Sequence, residues 1–213
     1  MKKPFRLFVP FLIILTLILI YCFKKTDKNT NFIPQSELYE SVLTDYFPIK
    51  EGTYWQYEGT KKEQQENGEI KTKEISKKIT VTKIENIENK TYVYLEGSEV
   101  PFITVQNNTI DFEPDNLGSD KFSLTFPLNV GTRWGSDIDK RDDGYYGWEI
   151  EEKISLNILG KNYEDCYRIA YKTLPDTSYK VFCYGLGIVE EGYTHNGTIM
   201  EYTYKIVSTN IDD

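Results

Sequence analysis

From Tyr46 onward, apolar and polar positions alternate with a period of two over most of the chain. That period belongs to strands with one packed and one wet face. In the clearest run, Trp148, Ile150, Glu152, Ile154, Leu156 and Ile158 share one face, and Glu149, Glu151, Lys153, Ser155 and Asn157 share the other. Shorter runs predict strands at Trp55/Tyr57 and at residues 75–84, 92–95, 102–105, 110–112, 168–172, 179–184 and 202–207. Turn formers separate them: Glu66-Asn67-Gly68, Gln106-Asn107-Asn108, Gly160-Lys161-Asn162 and His195-Asn196-Gly197. A helical period extends over no more than one turn, around residues 36–43. The expectation is an all-β fold of antiparallel sheets, as a sandwich or a partly open barrel.

A different pattern opens the chain. Residues 7–23 (LFVPFLIILTLILIYCF) carry no charge and follow Lys2, Lys3 and Arg6. This layout is that of an export signal or a membrane anchor. As a lipoprotein signal, Leu19-Ile20-Tyr21-Cys22 is the lipobox and Cys22 the lipidation candidate, with Tyr21 standing where the bacterial motif has a small residue. As an uncleaved anchor, the segment spans roughly 25 Å in a helix, the short end of a membrane crossing. Lys24 and Lys25 could then snorkel to the interface. Either reading keeps the protein at the cell membrane, and the basic flank puts the following domain on the extracytoplasmic side. The expected organisation is a signal or anchor at 1–23, a polar tether at 24–45 and an extracytoplasmic β domain at 46–213.

A repeat runs through that domain. Phe47-Pro48-Ile49-Lys50-Glu51-Gly52-Thr53-Tyr54-Trp55 matches Phe126-Pro127-Leu128-Asn129-Val130-Gly131-Thr132-Arg133-Trp134, giving F-P-[IL]-x-x-G-T-x-W twice. A long strand, a turn and a shorter strand are expected after each copy. The pattern suggests a duplication, with repeats at 47–125 and 126–207 forming two β-meander halves. Within the motif, proline fixes φ, glycine permits a turn, and tryptophan starts the next strand on the core side.

The opening Tyr46-Phe47-Pro48-Ile49-Lys50-Glu51-Gly52-Thr53-Tyr54-Trp55-Gln56-Tyr57 resembles the YFPLKxGxxWxY start of uncharacterised exported proteins and candidate lipoproteins of Gram-positive, clostridial-type bacteria. Gly185-Leu186-Gly187-Ile188-Val189-Glu190 is similar to a later G-x-G-[IL]-V segment of that group. The resemblance implies an exported β domain and contributes no catalytic residues.

Charge and cysteines narrow the partners. The net charge is −8, and without Lys2, Lys3 and Arg6 it is about −11, which argues against nucleic acid and anionic membrane surfaces. Cys166 and Cys183 flank a strand, a turn at Leu174-Pro175-Asp176 and a second strand. A turn centred between Leu174 and Pro175 would set the two cysteines opposite each other, where a cross-strand disulfide is one outcome and two separate thiols the other. An oxidising exterior would permit the bond.

Motifs for catalysis are weak. His195 is the single histidine and sits in a turn, too little for a Ser-His-Asp triad or, with Cys166 and Cys183, for a zinc site. Asp137, Asp139, Asp142 and Asp143 form an acidic loop whose spacing departs from the calcium pattern at Arg141. Glu113, Asp115 and Asp120 read as a similar solvated loop, and Gly185-Leu186-Gly187 as a bulge or turn. No metal or cofactor is expected. Tyr145, Tyr146 and Trp148 are the candidates for ligand binding, as a stacking surface for cell-wall glycan. The reading is a membrane-tethered, non-catalytic binding or envelope-associated protein whose ligand could be a glycan, a lipid or a protein. One competitor is a barrel-like carrier of an apolar ligand or lipid. The other is a cell-envelope hydrolase with paired carboxylates.

Overall fold

The computed structural model describes residues 42–113, 120–135, 146–173, 176–195 and 197–211. Met1–Pro34 and Gln35–Asp213 are separate units, and every described residue belongs to the second. The apolar run 7–23 with Cys22, the expected tether up to residue 41, Asp115, the acidic loop at 136–145 with Tyr145, the expected turn residues Leu174 and Pro175, and Asn196 lie outside the described residues.

The described residues form twelve strands: β1 (Tyr54–Gln64), β2 (Ile70–Ile87), β3 (Lys90–Glu96), β4 (Phe102–Gln106), β5 (Thr109–Asp111), β6 (Ser123–Thr125), β7 (Arg133–Trp134), β8 (Gly147–Ile158), β9 (Lys161–Lys172), β10 (Asp176–Cys183), β11 (Gly187–His195) and β12 (Met200–Thr209). All neighbours pair antiparallel in one sheet, ordered β6-β5-β4-β3-β2-β1-β12-β11-β10-β9-β8-β7. Short β6 and β7 form its two edges, so the sheet is not closed. A single open sheet replaces the two stacked sheets of the sandwich alternative.

Laid flat, twelve strands would extend over roughly 50 Å. Instead the sheet rolls. Phe122, just before β6, packs against Trp148 of β8 with ring centroids 4.8 Å apart. Trp148 and Trp134 donate their indole N–H groups to the carbonyls of Asp120 and Lys121, tying the β8 end of the sheet to the β6 end. The inner face therefore closes on an aromatic core in which Phe122, Phe126 and Phe182 are fully buried. Each such ring contributes about 1.5–3 kcal/mol by leaving water.

The two F-P-x-x-x-G-T-x-W segments make the same bonds. Gly52 N–H donates to Val81, and Val81 N–H to Thr53; Gly131 N–H donates to Ile150, and Ile150 N–H to Thr132. Trp55 pairs with Ile79, and Trp134 with Trp148, two residues before the bonded Val81 or Ile150. A bulge follows each of those residues, at Val81/Lys83 and at Ile150/Glu152. The leading Phe47 and Phe126 both pack on Phe182, at 5.9 and 5.5 Å. Each half is a six-strand meander, and the halves join where β1 pairs with β12.

Three features differ from the sequence pattern. Val42 is already buried, in a short π-helical turn (Val42–Tyr46) whose Val42 carbonyl accepts from Phe47 N–H. The fold thus takes in the end of the expected tether. β11 was not visible as a strand, because two glycines and two adjacent glutamates interrupt its alternation. β6 and β7 are too short to show a period. In the β9–β10 hairpin, Thr177 pairs with Lys172 and the register continues to Cys183 opposite Cys166, where a disulfide joins the strands.

Candidate functional site

The strand registers set Ile150, Ile169, Lys180, Glu191, Tyr204, Gly59 and Ile75 in one row across β8, β9, β10, β11, β12, β1 and β2. Where this row passes over β12, β1 and β2, the inner face opens into a cleft of about 370 Å³. Its apolar wall comes from Phe47, Trp55, Ile79, Ile103, Phe112 and Phe122. Gly59, between Tyr57 and Lys61, lets β12 approach closely, since a Cβ built there would lie 1.7 Å from the Thr203 carbonyl oxygen. The volume falls in the range of small-molecule sites.

Charged groups meet at one side of this apolar wall. Lys77 Nζ donates to Glu191 Oε1, and Lys180 Nζ donates to Glu191 Oε2 at 3.0 Å. The Glu191 side chain is 14% exposed, so this cluster is well shielded from water. Burial pushes the Glu191 carboxyl up, but the Lys180 and Lys77 ammonium groups outweigh it and hold the group below the usual glutamate range. The ammonium of Lys77 stands 4.6 Å from the centre of the Tyr204 ring and 5.3 Å from that of Tyr57. Lys180 Nζ is 5.4 Å from the Phe122 ring centre. Both cations thus face aromatic groups of the cleft. Burial, with Glu191 adding to it, keeps the neighbouring tyrosines protonated: Tyr202 is pushed up to about 12 and Tyr57 higher still. Tyr57 donates its hydroxyl to the Ile188 carbonyl at 2.7 Å, which fixes this part of the wall.

The residues singled out from sequence lie elsewhere. Trp148 is 6% exposed and packs among Phe122, Trp134 and Tyr171, so it serves the core rather than an open stacking surface. Tyr146 is partly buried, with φ of +61° and its N–H bonded to the Lys172 carbonyl. His195 ends β11 and bonds through Nδ1 to Asp176, which also accepts from Tyr193 at 2.8 Å. Those two donors, His195 first, hold the Asp176 carboxyl below its ordinary value. Gly185-Leu186-Gly187 forms the turn into β11, where the buried Leu186 carbonyl accepts the Trp55 indole N–H at 2.8 Å. Among the described residues no cluster of histidine, cysteine and carboxylate groups is arranged to hold a metal ion.

Lys77, Lys180 and Glu191 were missed because each reads alone as an ordinary polar strand residue. One signal was present: Lys77 stands between Ile75 and Ile79 on the apolar side of the β2 alternation.

The fold and cleft define an open, rolled antiparallel sheet with a concave ligand-sized face. No family model matches the chain, and no curated protein matches it. Solved structures match the chain only at low identity and with TM-scores below 0.5. A candidate lipoprotein of Parabacteroides distasonis is 12% identical, with a TM-score of 0.40 over 76% of this chain and 96% of its own. A candidate exported protein of Bacteroides fragilis with a YmcC-like fold is 10% identical, with a TM-score of 0.42 over 78% and 99%. A LolA-superfamily protein of Nitrosomonas europaea is 9% identical, with a TM-score of 0.28 over 84% and 94%.

Proposed function

We propose that this protein is a membrane-tethered, extracytoplasmic binding protein whose cleft takes an apolar chain, without catalysing a reaction. The observation that carries this reading is the cleft of about 370 Å³ walled by Phe47, Trp55, Ile79 and Phe112 on the concave face. The basic flank and apolar run at 7–23 support the location. A carrier reading and a binding reading converge here, because both need an apolar concavity on a pre-formed scaffold. Glu191 is held ionised by two lysines, which suits a structural or recognition charge better than a general acid, whose carboxyl is raised.

The test is photolabelling of the full-length protein in phosphatidylcholine nanodiscs with hexadecanol bearing a diazirine. Saturable labelling of β1, β2 and the segment before β4 is expected. Val100→Trp, which adds bulk at the cleft wall, should abolish it without lowering the melting temperature. Labelling that is unsaturable, or unchanged in the Val100→Trp protein, would refute the assignment.

A further inference from the structure

Building on the apolar-cleft reading, we infer that the cleft selects an amphiphile with one anionic head, such as a long-chain carboxylate, and that Lys77 and Lys180 hold that head. The juxtaposition of Lys77 and Lys180 around a single carboxylate, at the border of the apolar wall, carries the inference. An ammonium has three donors. Among the described residues, the hydrogen bonds of Lys77 Nζ and Lys180 Nζ both go to Glu191. Two ammonium groups, six N–H donors in all, thus converge on one carboxylate, which leaves donor capacity for a second oxyanion beside Glu191.

The surroundings point the same way. Phe122, Tyr57 and Tyr204 flank the ammonium groups and limit their hydration. A charge-assisted hydrogen bond in such a place is stronger than one at the open surface. Other charged groups line the cleft but are differently engaged. Lys61 pairs with Glu63, Glu113 accepts the Phe122 backbone N–H at 3.2 Å, and Glu99 is exposed, its charge reaching Tyr202 and Tyr204 after that of Glu191. An acyl chain leaving Lys77 along the inner face would pass Ile79 and Trp55, which pair across β2 and β1. The head and the chain therefore have contiguous partners of matching chemistry.

The experiment photolabels the full-length protein in phosphatidylcholine nanodiscs with diazirine hexadecanoate, at mildly alkaline pH so that the carboxylate is ionised. Diazirine hexadecanol runs in parallel. Hexadecanoate should label the cleft peptides at concentrations about ten-fold lower than the alcohol, as one to two charge-assisted bonds imply. Replacing Lys77→Met together with Lys180→Met should erase that preference and leave hexadecanol labelling in place. Glu191→Gln removes the competing anion and should strengthen hexadecanoate labelling several-fold.

Equal labelling by acid and alcohol, or an acid preference that survives the double methionine replacement, overturns the head-group assignment and leaves the apolar cleft standing. Competition by hexadecyltrimethylammonium but not by hexadecanoate overturns it by reversing the sign of the charge recognised. Absence of cleft labelling by either compound overturns both readings. If the double variant fails to fold, the Glu191→Gln protein decides: a gain supports the assignment and a loss refutes it.

Discussion

Gly187 has φ of +91°, and a Cβ built there would lie 2.3 Å from the Phe47 ring. Gly185, two residues earlier, has φ of +78° but open space around it. Alanine at 185 therefore meets only the left-handed backbone cost of about 1–2 kcal/mol. Alanine at 187 adds overpacking against a buried ring, for a total of about 3 kcal/mol. Urea unfolding of the two variants should show this order; equal costs would mean that Phe47 yields freely. Glu191 gives a second residue-scale expectation, in pH. Its folded pKa lies below the unfolded value of about 4.3, so its contribution is fully present above that pH and is lost as the pH falls through the folded pKa. The stability gap between the native protein and Glu191→Gln should narrow on acidification below about pH 4.3. Melting curves across that range check it, and a gap that widens would contradict the two-lysine arrangement.

The β9–β10 hairpin shows what a single element adds. Its disulfide closes a separation of 17 residues, and a loop of that size corresponds to about 3 kcal/mol in the chain-entropy account. Cys166→Ala with Cys183→Ala should lower unfolding stability by about that amount, and reductant should then have no further effect on the variant. The strands of this hairpin are readable in the sequence because period-two runs flank the expected turn signal, of which Leu174 and Pro175 lie outside the described residues. Strands β2, β3, β4 and β8 were legible for the same reason. β11 was not, because its glycines answer to other constraints: Gly187 to the Phe47 ring, and Gly192 to the Tyr179 ring, 2.4 Å from a Cβ built there. The bulges after Val81 and Ile150 were also silent in the sequence, although the repeated motif preceding both strands foreshadowed their equivalence. We propose a duplication as the origin of the halves, supported by the shared motif bonds and the same meander order.

For the whole molecule, the decisive property is the roll that turns a long open sheet into a concave receptor. Period-two patterning places side chains on one face or the other, but it carries no information about which distant strands share a core. The contact between Phe122 and Trp148 and the rows through Lys180, Glu191 and Tyr204 depend on curvature and on register summed over several ladders. Neither could be read locally, which is why the cleft residues were missed. Phe122 is fully buried, lines the cleft and touches the far end of the sheet. Phe122→Ala should cost about 3–5 kcal/mol, as a buried phenylalanine truncation does. Its consequence should also be spatially defined. Hydrogen exchange should rise first in β5 and β6, the short strands at the edge that Phe122 precedes, and in the β7–β8 pair at the other edge. The β1–β12 ladder in the middle of the sheet should keep its protection, since its pairing runs from Trp55 to Glu63 without drawing on Phe122. Uniform loss of protection across all twelve strands would instead mean that the two halves unfold as one unit, and that the roll is set by the β1–β12 joint rather than by the aromatic contact between the edges.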